Sequence, residues 1–374
     1  MDIETFQMER MQCLYENEVE YNLSESGVQP MSVAELMEGE DLGALLAVGL
    51  GYPHSNGSPA LRERIARFYP GATSESVTVM NGGSEVNHIV LWTLLQPEGR
   101  LAFMVPNYMQ GWGLGRHYGA GSDAFHLVVR DEGGGRRWAL DVEGLQRVVT
   151  DRTRVILVTN PNNPTGAILT EEEMAAVVDV AERADAWLVA DEIYRGAEVR
   201  GETTPTFWGR YDKVVVTSGL SKAFGLPGLR LGWAVSPPEL IERLWIHHDY
   251  TTLTPSMLSD RLGAVAMNEA RRRTILDRTR GIIRRNLPLL QDWIHGHEAL
   301  DCVPPAAGAI AYVAYDLPIS SSALVDRIRM EQSVLVVPGE QFGMGKYLRI
   351  GFGSEPDHLL KGLDRVSETL RQIA

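Results

Sequence analysis

Short apolar, β-branched runs alternate with amphipathic segments from about residue 75 onward. Apolar runs of this length, bounded by turn residues, indicate buried strands; they cover 76–80, 100–105, 154–160, 187–191, 213–219 and 229–236. Between them lie amphipathic stretches such as TEEEMAAVVDVAERA (170–184), whose glutamate-rich first turn favours a helix N-terminus. Strands alternating with helices predict an α/β fold with a mainly parallel central sheet covered on both faces.

The pattern changes in the last third of the chain. Residues 256–298 are typical of one long helix with a basic, solvated middle, and the elements after Pro304-Pro305 are shorter. We predict a large cofactor-binding domain over 46–285 and a small α+β domain over 286–374, and we expect the N-terminal segment 1–45 to be part of the small domain. The glycines at 133–135 are expected to form a hairpin turn, because no strand–helix context makes them a phosphate loop.

The composition of the chain indicates which binding partners and which cellular compartment to expect. Of 374 residues 44% are hydrophobic, and the formal charge of −14 disfavours binding to nucleic acid. Cys13 and Cys302 are far apart and outside any CxxC pair, and His295 and His297 have no third ligand nearby, so neither disulfides nor a metal site are expected. An acidic, polar N-terminus and the lack of a run of ~20 apolar residues predict a cytoplasmic protein without membrane association.

Polar residues follow several of the predicted strands directly. Because ligands of open α/β sheets bind at the carboxyl ends of the strands, these positions are candidates for one site. The residues that share this placement are Asn81, Gly82, Gly83 and Ser84 after 76–80, Asn163 after 154–160, Asp191 and Tyr194 after 187–191, and Ser218, Ser221, Lys222 and Arg230 at and after the end of 213–219.

Each of these residue types suits one part of a phosphorylated pyridine aldehyde. The turn over 82–84 opens a helix, whose free N–H groups and dipole favour a phosphate, and Arg230 can add a bidentate contact. Lys222 can form an imine with the aldehyde, and Asp191 can keep the ring nitrogen protonated. The side chains suited to the rest of the ring are Asn163 and Tyr194 at its hydroxyl and Tyr108 on its face.

Four motifs, in this order, resemble the class I and II aminotransferases, which are fold-type I pyridoxal-phosphate enzymes. They are NPNNPTG (160–166), DEIY (191–194), SGLSKAFGLPGLRLGW (218–233) and YLRIGFG (347–353). The resemblance extends from about Tyr21 to Arg349, nearly the whole chain. It implies pyridoxal 5′-phosphate as cofactor, an amino acid as substrate, and a homodimer with active sites at the subunit interface.

The resemblance also implies a role for each matched residue. Lys222 would be the Schiff-base lysine and the proton carrier at the substrate α-carbon, assisted by Asp191 and Tyr194. Arg349 would clamp the substrate α-carboxylate, together with Asn163 and the backbone of Gly27. The implied cofactor contacts are Gly82, Gly83, Ser84, Tyr108, Asn163, Asp191, Tyr194, Ser218, Ser221, Lys222 and Arg230, with Tyr52 reaching the phosphate of the neighbouring subunit.

The sequence departs from the family pattern at one phosphate contact. Many relatives carry a serine three residues before the lysine, where this chain has Gly219, so both Ser218 and Ser221 remain candidates. The segments 22–37 and 248–261 are similar to a specialised branch, the capreomycidine-synthase-like enzymes, which act on hydroxylated arginine in natural-product pathways. In that branch the cofactor can drive elimination or cyclisation.

We therefore expect an aminotransferase, with pyridoxal-phosphate-dependent elimination, cyclisation or decarboxylation of a specialised amino acid as the alternative. A nucleotide-binding oxidoreductase is disfavoured because no GxGxxG turn follows a strand, and a regulatory cofactor-binding module because no basic N-terminal domain is present. No motif indicates which type of side chain the amino acid substrate carries. The candidates for contact with it are Glu25, His54, Trp112, Tyr250 and Thr251.

Overall fold

A computed structural model describes residues 3–373 of the chain. The helices are α1 Gln7–Tyr15, α2 Val33–Leu36, α3 Leu42–Leu46, α4 Pro59–Ala66, α5 Gly83–Leu94, α6 Gln110–Tyr118, α7 Val142–Val148, α8 Glu171–Arg183, α9 Pro238–His248, α10 Met257–Ala266, α11 Glu269–His295, α12 Ser321–Gln332 and α13 Pro356–Ile373. The strands are β1 Tyr21–Asn22, β2 Val77–Met80, β3 Arg100–Val105, β4 Gly121–Glu132, β5 Gly135–Leu140, β6 Thr153–Thr159, β7 Trp187–Asp191, β8 Val214–Gly219, β9 Gly232–Val235, β10 Leu300–Cys302, β11 Ile310–Tyr315, β12 Val334–Leu335, β13 Val337–Pro338 and β14 Tyr347–Gly351.

The central sheet has the order β2-β9-β8-β7-β6-β3-β4-β5, eight strands within the described residues. Its middle, from β8 to β4, is parallel, while β9 and β5 pair antiparallel with their neighbours. The β4–β5 hairpin turns at residues 133–134, where the glycine run predicted a turn. The predicted α/β fold with a mainly parallel central sheet is confirmed.

Both faces of the sheet are covered, because alternate residues of each strand enter different cores. In β3, Leu101 and Phe103 pack in the core formed with α5 and α9, whereas Ala102 and Met104 pack in the core that includes α8 and α11. Burying side chains of the size of Leu or Phe contributes roughly 1.5–3 kcal/mol each. Two-sided burial therefore explains why these strands are continuous apolar runs in the sequence.

A second sheet, β10-β11-β14-β13, lies in the C-terminal part of the chain. The N-terminal strand β1 pairs in parallel with β12, Tyr21 opposite Val334, which ties the first residues to this C-terminal part. The helix α11 runs without a break across position 285, where we placed a domain boundary. The domain limits 1–45, 46–285 and 286–374 remain a prediction, and residues 1–2 and 374 lie outside the described range.

Two element predictions were wrong. The long helix expected over 256–298 is two helices, because Asn268 ends the first stretch and caps α11 by accepting hydrogen bonds from the N–H groups of Ala270 and Arg271. The strand expected from residue 229 begins only at Gly232, because Arg230 has a left-handed backbone with φ of 45°.

None of the helices within residues 3–373 combines the length and the apolar surface that crossing a membrane requires.

Candidate active site

The carboxyl ends of β6, β7 and β8 open into a cavity of about 340 Å³. Parallel strands bring their ends to the same edge, so residues more than 100 positions apart in sequence meet there. The predicted site residues on the wall of this cavity are Gly83, Ser84, Tyr108, Asn163, Asp191, Tyr194, Ser221, Lys222, Arg230 and Arg349.

The turn before α5 is shaped by close contact with Arg230. Gly82 has φ of +90°, and a Cβ built on it would lie 2.6 Å from Nη2 of Arg230. A Cβ on Gly232, in the neighbouring strand β9, would lie 2.5 Å from the carbonyl carbon of Gly82. Both positions thus require glycine, and the guanidinium of Arg230 lies beside the first turn of α5. There the N–H groups of Gly83 and Ser84 have no intrahelical acceptor.

The structure separates the two candidate serines. Ser221 lies on the cavity wall beside Lys222. Ser218 is buried, and its hydroxyl donates to the backbone carbonyl of Glu192 at 3.3 Å. The hydroxyl suited to a ligand in the cavity is therefore that of Ser221.

Asp191 is held at the end of β7 by two donors. Its Oδ2 accepts a hydrogen bond from Nδ2 of Asn87 at 2.9 Å, and its Oδ1 accepts one from the N–H of Ile193 at 3.0 Å. Burial raises the pKa of Asp191, while these two donors favour its charged form. Asn87 was missed by sequence reasoning, although its position one turn after Gly83 on α5 indicated the same face.

Lys222 forms an ion pair with Glu25, with Nζ 2.7 Å from Oε1. The same carboxylate oxygen accepts the N–H groups of Ser26 at 2.9 Å and Gly27 at 2.7 Å. Burial alone would raise the pKa of Glu25, but the charge and hydrogen bond of Lys222, with smaller contributions from Gly27 and Arg349, lower it to about 2. In turn, burial opposes the charge of Lys222, but Glu25 together with Tyr194 more than compensates, so the pKa of Lys222 is raised.

Arg349 of β14 is buried in the wall of the cavity. Its Nη1 donates to Oδ1 of Asn163 at 3.2 Å, and its Nη2 donates to the carbonyl of Ser24. Its Nε is buried without a partner among the described residues. Burial lowers the pKa of Arg349. An unsatisfied donor on a buried cation beside a cavity fits an anionic ligand.

The helix α1 covers the cavity and was not foreseen as part of the site. The hydroxyl of Tyr108 donates to Glu9 at 2.7 Å, and Nη1 of Arg349 lies 3.8 Å from the sulfur of Met8. The residues of α1 and its end that line the cavity are Met8, Glu9, Gln12, Cys13 and Glu16. Their spacing of three and four positions marks one helix face, which was the available signal.

The remaining predicted residues lie behind or outside the cavity wall. Gly82 and Ser218 lie behind it, and the N–H of Gly27 is used by Glu25. Tyr52 has 85% and Tyr250 81% of its surface exposed in this chain. Of the five candidates for side-chain contact, Glu25 lines the cavity, whereas His54, Trp112, Tyr250 and Thr251 do not.

The donor set fits pyridoxal phosphate. Helix N–H groups with Ser84, Ser221 and Arg230 suit a phosphate, the carboxylate of Asp191 suits a basic ring nitrogen, and the amine of Lys222 suits an aldehyde. Within residues 3–373 no group of three or more metal-binding side chains is close enough to hold a metal ion. Together with the doubly covered sheet, this site defines a pyridoxal-phosphate-dependent α/β enzyme.

Comparison with known proteins specifies the family. The model of the family "Aminotransferase class I and II" matches residues 46–366, so the chain belongs to this family. It is 32% identical to capreomycidine synthase of Streptomyces vinaceus over 84% of this chain and 80% of the relative. It is 29% identical to the arginine–pyruvate transaminase AruH of Pseudomonas aeruginosa, over 88% of this chain and 83% of the relative. The structure of the PLP-dependent cyclase OrfR superposes with a TM-score of 0.90 at 28% identity, covering 100% of this chain and 99% of the other.

Proposed function

We propose that the protein is an aminotransferase whose amino acid substrate carries a cationic side chain. One observation carries the substrate class: Glu9, Glu16 and Glu25 line the same cavity as Arg349. The buried guanidinium suits the α-carboxylate that every amino acid has, and the three carboxylates suit a positive charge at its far end.

The carboxylates are close enough to affect one another. Burial raises the pKa of Glu16, and the negative charges of Glu25 and Glu9 raise it further. Within residues 3–373, Glu9 and Glu16 form no ion pair, and the charge of Lys222 offsets the raised pKa of Glu16 only in part. A guanidinium or ammonium group between them would relieve this repulsion, whereas a dicarboxylic substrate would add to it.

In this proposal each side chain of the site has a separate role in the reaction. The bound cofactor supplies an aldehyde for the amino group and a ring that draws electrons from the α-carbon. Lys222 removes the α-proton on its Nζ and returns a proton in the second half of the reaction. Asp191, fixed by Asn87, holds the proton of the ring nitrogen. Arg349 and Asn163 orient the α-carboxylate, and the α1 face excludes water from the cavity.

A homodimer completes this proposal. The segment before α4 exposes apolar side chains: Leu46 is 80%, Leu50 79% and Tyr52 85% exposed. A patch of this kind is typical of a surface that pairs with another molecule. In a two-fold dimer the phenol of Tyr52 would reach the phosphate of the partner subunit.

Cyclisation or elimination is the second candidate. It is supported by the identity to capreomycidine synthase and by the similarity to the cyclase OrfR. The two outcomes differ in their products. Transamination leaves the cofactor as pyridoxamine phosphate and releases an oxo acid, whereas cyclisation returns the cofactor unchanged and keeps the amino nitrogen in the product.

A screen of amino acids by cofactor absorbance tests both points. Citrulline is the matched neutral analogue of arginine, so we expect arginine to react with at least about tenfold higher kcat/KM, which corresponds to about 1.4 kcal/mol. Equal rates for arginine, citrulline and glutamate would refute the cationic substrate. Mass spectrometry of the product from β-hydroxyarginine, whose hydroxyl can leave as water when the ring closes, then decides between an oxo acid and a cyclised amino acid.

A further inference from the structure

A hydrogen-bond network outside the cavity holds the turn over 81–84 in place. Oε2 of Glu85, in the first turn of α5, accepts the backbone N–H of Asn81 at 2.7 Å. Nδ2 of Asn81 donates to Oγ1 of Thr252 at 2.7 Å and to the carbonyl of Thr254 at 3.0 Å. The hydroxyl of Thr252 donates to Glu85 at 2.9 Å. These bonds tie the turn to the loop that follows α9.

The hydrogen-bonding capacity of Thr252 is fully used. Its hydroxyl has one proton, which Glu85 accepts, and two lone pairs, one of which accepts Asn81. The second lone pair faces Nε2 of His248 at 3.1 Å, so this nitrogen must carry a proton. His248 is completely buried, and its Nδ1 has no partner among the described residues, which agrees with a neutral ring protonated at Nε2.

The turn needs this outside support because its own cap is missing. Most helix N-caps carry a side chain that accepts a first-turn N–H, but the N-cap of α5 is Gly82, which has none. The backbone there has φ of +90°, a conformation that favours glycine. Instead, the carboxylate of Glu85, the third residue of α5, fixes the turn by accepting the backbone N–H of Asn81. Its negative charge would repel a phosphate, so it acts on the turn and not as a ligand.

We propose that Thr252 and Glu85 are positioning residues that hold the N–H groups of Gly83 and Ser84 in the geometry that binds the cofactor phosphate. The inference rests on the proposed cofactor site, and it adds a residue of the loop 249–256 to the determinants of cofactor affinity. Thr252 does not line the cavity, so its effect would pass through its contacts with Asn81 and Glu85.

The test compares binding of pyridoxal phosphate and of pyridoxal, which lacks the phosphate, to the apoenzyme by absorbance titration. Thr252→Val keeps the shape and the Glu85 charge but removes the hydroxyl. We expect a Kd for pyridoxal phosphate about tenfold higher, as for a lost hydrogen bond to a charged group, and an unchanged Kd for pyridoxal. Thr252→Ser restores the hydroxyl and should bind within about twofold of the parent.

Thr204→Val is the matched control, because the buried hydroxyl of Thr204 donates to Glu198 at 2.9 Å, away from the cavity. The Thr204→Val variant loses a comparable hydrogen bond at a more buried position. If cofactor binding weakened only because the protein became less stable, Thr204→Val should therefore weaken it at least as much as Thr252→Val does. Parent-like binding of pyridoxal phosphate by Thr252→Val, or equal weakening for pyridoxal or in Thr204→Val, would overturn the inference. If the parent binds neither compound, the proposed function itself fails.

Discussion

At the residue scale, the pair of Lys222 and Glu25 sets how readily the lysine can react. A neutral amine attacks an aldehyde, and Glu25 at 2.7 Å keeps this amine charged to higher pH than burial alone would. The pair also links stability to pH. Because the pKa of Lys222 is raised, its contribution to stability is present below the unfolded pKa and is lost as pH rises through the folded pKa.

Glu25→Gln should therefore speed attachment of pyridoxal phosphate. Without the carboxylate, burial lowers the pKa of Lys222, so more of the amine is neutral at pH 7–8. We expect attachment about tenfold faster at pH 8 and a rate profile displaced to lower pH by about one unit. Stopped-flow absorbance across pH measures this.

The control for this experiment is Glu35→Gln. Glu35 accepts the backbone N–H of Ser32 at 2.7 Å in the cap of α2, so its replacement removes a similar bond at an exposed position outside the cavity. Its profile should match the parent. A Glu25→Gln profile at the parent position would show that the pair does not control the lysine.

At the element scale, α1 lines the cavity and also contacts Tyr108, which follows β3, and α12 in the C-terminal part of the chain. The ring of Phe6, at its start, meets Tyr108 edge-on with centroids 4.9 Å apart. At its end the guanidinium of Arg329, in α12, lies 3.9 Å above the ring of Tyr15. The face between them carries Glu9 and Glu16. The proposed substrate selection thus depends on an element that precedes every recognised motif.

Glu16→Gln should weaken binding of arginine without slowing the chemistry. The residue is partly solvated, so the lost attraction is about 0.5–1 kcal/mol, which is a two- to fivefold rise in KM. With citrulline the KM should not change, because no charge faces the mutated position. Steady-state kinetics with both substrates provide the comparison.

Glu18→Gln is the control for α1, because this exposed glutamate follows the helix and does not line the cavity. Its kinetics should equal those of the parent with both substrates. If Glu16→Gln lowered kcat while leaving KM for arginine unchanged, Glu16 would belong to the chemistry and not to substrate binding.

At the scale of the whole molecule, cofactor retention is proposed to depend on a second copy of the chain. The phenol of Tyr52 and the apolar side chains of Leu46 and Leu50 are mostly exposed to solvent in the described chain. A dimer would cover them and add a donor to each phosphate site. The homodimer and the cytoplasmic location both remain predictions.

Sedimentation of the purified protein should show a dimer, and Tyr52→Phe should weaken pyridoxal phosphate binding by about 1 kcal/mol, the value of a neutral hydrogen bond. Tyr211→Phe removes a phenol from a surface groove away from the active-site cavity and should bind like the parent. An active monomer that binds cofactor as tightly as a dimer would contradict the placement of Tyr52.

The apolar pattern and the motifs together predicted the fold class, the cofactor and the residues that follow the parallel strands. This was possible because a buried strand is a continuous apolar run, and the residues after it lie at the same edge. Lys222, Asp191 and Arg230 could be placed by that rule. The choice between Ser218 and Ser221 could not, since it depends on which way each hydroxyl turns.

Only the tertiary structure decided what faces those residues. Lys222 and Glu25 are 197 positions apart, Asn81 and Thr252 171, and Arg349 and Asn163 186. No local pattern encodes such pairs, because they arise from how α1, the β1 segment and the loop after α9 pack on the sheet. The break at Asn268 was missed for the opposite reason: a single side chain capping α11 outweighed a helical pattern on both sides of it. Packing and hydrogen-bond geometry decide both the contacts between distant segments and the caps formed by single residues. The spacing of apolar residues along the sequence contains no information on either.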